Sequence, residues 1–151
     1  MTPEEVWDFV RESYKMIVAY APGQGVPHAT PVYFVDLDSK LYFRGPAYDR
    51  KMKYADGGEV CCVIEAGLKY AELRGVSMWG KSTRLREPEK ISLVSNKLAE
   101  KYVGLQWKPN EMPGRWVQDR KSEEKAMIEV VPAVISSWDN RKIGGTFAHQ
   151  A

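Results

Sequence analysis

The chain has few of the residues that staple, ligate or span. Its 151 residues include two cysteines and two histidines. Cys61 and Cys62 are neighbours in the apolar run Val60-Cys61-Cys62-Val63-Ile64. In a strand their side chains point to opposite faces, and a disulfide between adjacent residues is strained, so two buried thiols are expected. With only His28 and His149 besides, no Cys/His cluster marks a metal site, and the thiol usage reads as cytoplasmic and reduced. No stretch approaches the ~20 apolar residues that span a bilayer. The opening Met1-Thr2-Pro3-Glu4-Glu5 is acidic where a secretory signal is basic. Charge of one sign is scarce too: 22 basic against 20 acidic residues leave +2. Nucleic-acid binders are strongly basic, so neither a nucleic acid nor a membrane is expected as partner. No GxxxxGK[ST] loop is present, and no Ser-His-Asp, Cys-His or paired-carboxylate arrangement stands out.

What is present is β-rich. Thr2-Pro3-Glu4-Glu5 is a capped helix start, and the stripe Val6, Val10, Ser13, Tyr14, with Phe9 beside it, carries the helix to about Tyr14. A short strand over 16–20 follows. A Pro-Gly turn then leads to a strand over 28–35, rich in β-branched and aromatic residues, in which Pro31 marks an edge or bulge. A hairpin turn at 37–40 returns a strand over 40–44, which Gly45-Pro46 should break. Asp49 can cap a short helix reaching Tyr54. Residues 59–66 read as a strand, and 71–85 as a long one bent at Gly75 and Gly80. Glu87-Pro88 opens a helix with Ile91, Val94, Leu98 and Tyr102 on one face. Residues 104–122 lack periodicity and read as a loop, and two last strands, 126–131 and 133–138, flank Pro132. Six or seven strands joined mostly by short turns favour a single antiparallel, barrel-like domain.

The small net charge conceals a local concentration. Between residues 40 and 54 stand Lys40, Arg44, Arg50, Lys51 and Lys53 against one acid, Asp49, a net +4 that leaves −2 for the rest. Arginine and lysine where a strand gives way to a helix suit a single phosphate better than an extended nucleic-acid track. A solvated basic face is the competing account of the same segment.

Three stretches together carry a resemblance: Pro27-His28-Ala29-Thr30-Pro31-Val32-Tyr33-Phe34, then Leu41-Tyr42-Phe43-Arg44-Gly45, then Asp49-Arg50-Lys51. With the strand around Gly75–Leu85 and the closing Val130-Val131-Pro132 and Ser137-Trp138-Asp139, they resemble the pyridoxamine 5′-phosphate oxidase-like family of FMN-binding split β-barrels. The resemblance spans about residues 16 to 143. It implies a mainly β, antiparallel split barrel, paired as a homodimer with flavin in the groove between subunits. It implies further that Thr30, Pro31, Val32 and Tyr33 line the flavin ring, largely through backbone groups. Arg44 and Gly45 continue that wall, Arg50 and Lys51 hold the 5′-phosphate, and Trp138 lies near the ring. The activity implied is hydride transfer to or from a small organic substrate, with FMN carrying the chemistry. A deazaflavin reductase, or a non-catalytic flavin or haem binder, are the alternatives.

Two departures qualify the resemblance. Asp49 stands where many members carry Ser or Thr, and its carboxylate repels a phosphate unless it turns away to cap the helix. The Arg-x-His element with which true pyridoxamine phosphate oxidases grip their substrate is missing, so vitamin B6 oxidation is rejected as the specific activity. Single residues have plainer accounts. His28 reads as a strand-end histidine, and His149 as part of a frayed tail. Trp79, Trp107, Trp116, Tyr33 and Met78 read as packing residues, and Lys81, Arg84 and Arg86 as a solvated strand face.

Overall fold

The computed structural model describes residues 1–105 and 124–143. In chain order they form α1 (Pro3–Glu12), β1 (Met16–Tyr20), β2 (His28–Val32), β3 (Phe34–Leu37), β4 (Lys40–Pro46), α2 (Arg50–Ala55), β5 (Glu59–Ala66), β6 (Arg74–Arg84), α3 (Pro88–Tyr102) and β7 (Lys125–Asp139). The strands make one sheet in the order β2-β1-β5-β6-β7-β4-β3, with every pairing antiparallel. This is the mainly β split barrel that the strand pattern and the resemblance both led us to expect.

Local chemistry explains the elements. Thr2 caps α1: its Oγ1 accepts from Glu5 N at 3.2 Å, while Glu5 Oε2 accepts from Thr2 N at 2.6 Å. The helix ends at Glu12, two residues short of the sequence expectation. Ser13 turns extended there, and its hydroxyl donates back to the Phe9 carbonyl at 2.7 Å. Val6, Phe9 and Val10 close the barrel over a core that includes Met16, Val18, Phe34, Phe43, Met52, Ile64, Met78 and Ile128. Burying each such side chain is worth roughly 1.5–3 kcal/mol. Cys62 belongs to this core and Cys61 faces the other side of the sheet; both are free thiols.

Three expected boundaries change. The strand over 28–35 divides at Tyr33, because its first part pairs with β1 and its second with β4, at opposite edges of the sheet. Gly45-Pro46 does not break β4 but ends it, opposite Ala126 and Lys125, where proline's missing donor is tolerated. The two final strands are one strand of 15 residues. Pro132 fits within it because it faces Gly80 at a register shift between Trp79 and Gly80. A Cβ on Gly80 would collide with the Val131 carbonyl, so the bulge depends on that glycine.

On the other side of β3, β4 and β7, α3 lays Val94, Leu98 and Tyr102 against Val35, Tyr42 and Met127. Glu129 anchors this layer, accepting from Tyr42 Oη at 2.8 Å and Lys90 Nζ at 2.6 Å. Burial raises the Glu129 carboxyl, but these two hydrogen bonds outweigh it and hold the group below its ordinary value. Burial, and then the carboxylate, push Tyr42 up to about 12.

The strand register also creates an outward row across five strands: Ala29, Ala19, Cys61, Trp79 and Val134 lie side by side. Ile17, Trp79, Val134 and Trp138 on this face are each at least 39% exposed, so the sheet presents an apolar surface with no cover among the described residues. No helix among those residues is long and apolar enough to cross a membrane.

Candidate cofactor site

The site forms where α2 meets the free edge of the sheet. Asp49 precedes α2 in an extended conformation, and its Oδ1 accepts from Lys51 N at 2.9 Å. This is the capping arrangement, and it engages one carboxylate oxygen while leaving the other near the Lys51 amine. Arg50 and Lys51 are consecutive on the helix, about 100° apart around its axis, and so reach different targets. Lys51 Nζ donates to Thr30 Oγ1 at 3.2 Å, with Asp49 Oδ2 at 3.7 Å. Arg50 Nη1 lies 3.4 Å from His28 Nε2. His28 and Thr30 are two residues apart on β2 and therefore share a face, which aligns the two contacts.

Aromatic packing fixes this corner. The His28 ring stacks on Tyr20 at 5.3 Å, Tyr20 stacks on Tyr54 at 4.9 Å, and Tyr54 Oη donates to the Ala21 carbonyl at 3.1 Å. Lys51 is largely buried, its side chain 12% exposed, whereas Arg50 is exposed. Two cations and a hydroxyl thus line one face of an edge strand. One row of backbone groups on β2 faces no strand partner among the described residues, and such a row can hydrogen-bond the polar rim of a flat heterocycle.

The other sequence candidates are distributed differently. Val32 shares the core-facing side with Thr30, and Pro31 lies on the outward face beside Ile17. Tyr33 is 59% exposed rather than a core residue: it sits at the joint between β2 and β3 with its ring 4.7 Å from that of Tyr102. Packing was expected there because the residue reads as mid-strand, but the strand divides at this point. Gly45 backs onto α2, where a Cβ would lie 3.3 Å from Met52 Sδ; Arg44 points to the opposite, exposed side. Trp138 packs across Gly75, whose Cβ would overlap the indole, with β6, β5 and β1 between its strand and β2. The structure therefore gathers Thr30, Arg50 and Lys51 with Gly45 behind them. It leaves Tyr33, Arg44 and Trp138 outside that cluster.

The second basic group is already neutralised. Arg84 pairs with Glu124 at 2.8 Å and Arg86 with Asp56, while Lys81 stands opposite Glu59 in the sheet. Met78 is core, as expected. Trp107, Trp116 and His149 lie outside the described residues. Sequence reasoning missed the partnership of His28 with Arg50. The period-two spacing of His28 and Thr30 carried that signal once β2 was known to face α2.

A sequence profile described as pyridoxamine 5′-phosphate oxidase matches residues 2–137. The chain belongs to this family. No curated protein matches it. Among solved structures, this pyridoxamine 5′-phosphate oxidase-family chain is similar to the conserved hypothetical protein Rv2991 of Mycobacterium tuberculosis. The two share 27% identity with a TM-score of 0.78, over 96% of this chain and 89% of that one. An FAD-binding protein of Mycobacterium smegmatis superposes with a TM-score of 0.69 at 14% identity, covering 91% and 94% of the two chains. An FAD- and haem-binding protein of the same organism gives 0.65 at 12% identity, covering 95% and 78%. At these last two identities the likeness is one of fold.

Proposed function

We propose that the chain is a cytoplasmic, single-domain FMN-binding oxidoreductase that works as a homodimer on a small organic substrate other than pyridoxamine phosphate. One observation carries the reading: Lys51 on Thr30 and Arg50 on His28 set two cations along one face of β2, with Asp49 Oδ1 engaged in the helix cap. Charge-assisted hydrogen bonds from arginine and lysine are the strong contacts for a phosphate group. The FAD-binding neighbours of the same fold support a flavin, and the choice of FMN rests on the single phosphate that this corner suits. When bound, flavin supplies the hydride-accepting ring.

The residues of the chain then divide the work. Arg50, Lys51 and Thr30 hold the phosphate, and the backbone edge at Thr30–Val32 lines the ring. Arg44 and Trp138, which lie outside the phosphate cluster, are assigned with Tyr33 to the wall contributed across the subunit interface. The apolar outward row is the surface that a second copy would cover, since exposed contiguous apolar patches mark interaction sites. A deazaflavin with an acidic tail calls for a broader basic surface, and the pairing of Arg84 and Arg86 counts against it.

The absorbance spectrum of the purified chain, followed by titration with FMN, riboflavin and a deazaflavin, tests this reading. FMN should bind in preference to the others. Replacing Arg50 and Lys51 with alanine should weaken FMN by roughly 1.5–3 kcal/mol per charged hydrogen bond lost, leaving riboflavin unchanged. A protein that remains colourless with added FMN, or that prefers the deazaflavin, would overturn it.

A further inference from the structure

The contact between Arg50 and His28 assigns a role to a histidine that the sequence left at a strand end. Arginine has donors only. At 3.4 Å, Arg50 Nη1 stands within hydrogen-bond reach of His28 Nε2, and since the guanidinium can only donate, the ring nitrogen is the acceptor of this contact. The ring's orientation is set independently by stacking on Tyr20, which is itself stacked on Tyr54 of α2. Arg50 is exposed and long, and without a fixed acceptor its guanidinium samples many rotamers. His28 is the only partner the described residues give it.

We propose that His28 is the positioning residue of an anion clamp. Its Nε2 holds Arg50 on the β2 side of α2, so that Arg50 and the Thr30-bound Lys51 approach one phosphate monoester from the same side. This rests on the reading that Arg50 and Lys51 bind a cofactor phosphate and adds what preorganises them. The gain is entropic: a guanidinium already directed at the ligand loses less freedom on binding. Thr30 does for Lys51 what His28 does for Arg50, and the two holders sit two residues apart on one strand face.

The experiment separates the acceptor from the ring. His28→Phe keeps an aromatic ring to stack on Tyr20 and removes the acceptor; His28→Gln loses the ring and keeps an acceptor. Affinities of the full chain for FMN and riboflavin are measured by fluorescence quenching for the wild type and both variants. His28→Phe should weaken FMN by about tenfold, the scale of one charged hydrogen bond, with riboflavin unchanged. His28→Gln should stay within about threefold of wild type, and His28→Phe in an Arg50→Ala background should cost nothing further. Full FMN affinity in His28→Phe, or an equal loss for FMN and riboflavin, would overturn the proposal, since a purely structural histidine predicts the latter. Thermal stabilisation by inorganic phosphate is the second arm. If wild type and His28→Gln gain stability from phosphate and His28→Phe does not, the clamp stands even where no flavin binds. If phosphate stabilises His28→Phe as strongly as wild type, the proposal falls while the flavin reading survives.

Discussion

The Asp49 carboxylate accepts from the backbone N–H of Lys51 at 2.9 Å, while the Lys51 amine donates to Thr30 Oγ1 at 3.2 Å. Asp49 therefore has two separable effects: it caps α2, and it keeps a negative charge 3.7 Å from Lys51 Nζ. Asp49→Ser should preserve the first and remove the second, because serine caps about as well as aspartate. Its stability should stay within about 0.5 kcal/mol of wild type, while FMN affinity rises. Asp49→Ala should lose about 1 kcal/mol of stability through the missing cap. Urea denaturation and FMN titration of both variants check this, and weaker FMN binding by Asp49→Ser would contradict it.

That relationship also marks how far the sequence could be read. The capped first two helices, the bulge near Gly80 and the Arg50-Lys51 pair were all legible, because each depends on local chemistry or on residues adjacent in the chain. The division of the strand at Tyr33 was not. The residues on either side are equally β-prone, and only the pairing partners β1 and β4 send them to opposite edges of the sheet. Pro132 misled for a related reason: a proline reads as a strand end unless the glycine facing it across the sheet is known. The reading of Tyr33 as a packing residue failed, and that of His28 as a strand-end histidine holds but did not show the Arg50 contact, since both depend on elements distant in sequence, α3 and α2. Gly75 and Trp138 illustrate the same limit. Their stacking links residues more than sixty positions apart, and nothing local announces it.

Tyr102 holds the joint where the strand divides. Its hydroxyl accepts from Phe34 N at 2.9 Å, and its one hydrogen lies between the carbonyls of Phe34 at 2.7 Å and Tyr14 at 2.8 Å. A single atom on α3 thus satisfies the backbone at the start of β3 and meets the segment between α1 and β1. Tyr102→Phe keeps the ring, including its contact with Tyr33, and strands the buried Phe34 N–H. The expected loss is about 1–3 kcal/mol of unfolding free energy in urea, the cost of an unsatisfied buried donor. A change below about 0.5 kcal/mol would show that water replaces the hydroxyl.

Lys101, one residue earlier, imposes a burden on the same helix. Its Nζ is buried over the Phe34 ring, 3.9 Å from the centroid, and finds no hydrogen-bond partner among the described residues. Burial lowers this amine to about 8; Asp36 opposes the shift and Arg11 reinforces it. The unfolded chain keeps its lysines protonated up to about 10.4. Between these values the unfolded state binds more protons than the folded one, so stability rises with pH across that window. Below about 8 the amine is charged in both states and the folded protein carries the full desolvation cost. Lys101→Met, similar in shape and without charge, should therefore be more stable than wild type at pH 7, and its advantage should shrink steadily from pH 8 to 10.5. Urea midpoints of the two proteins at pH 7, 8, 9 and 10 measure the difference. A gap that stays constant with pH would mean that Lys101 keeps its proton throughout, with the Phe34 ring and Asp36 sustaining the charge.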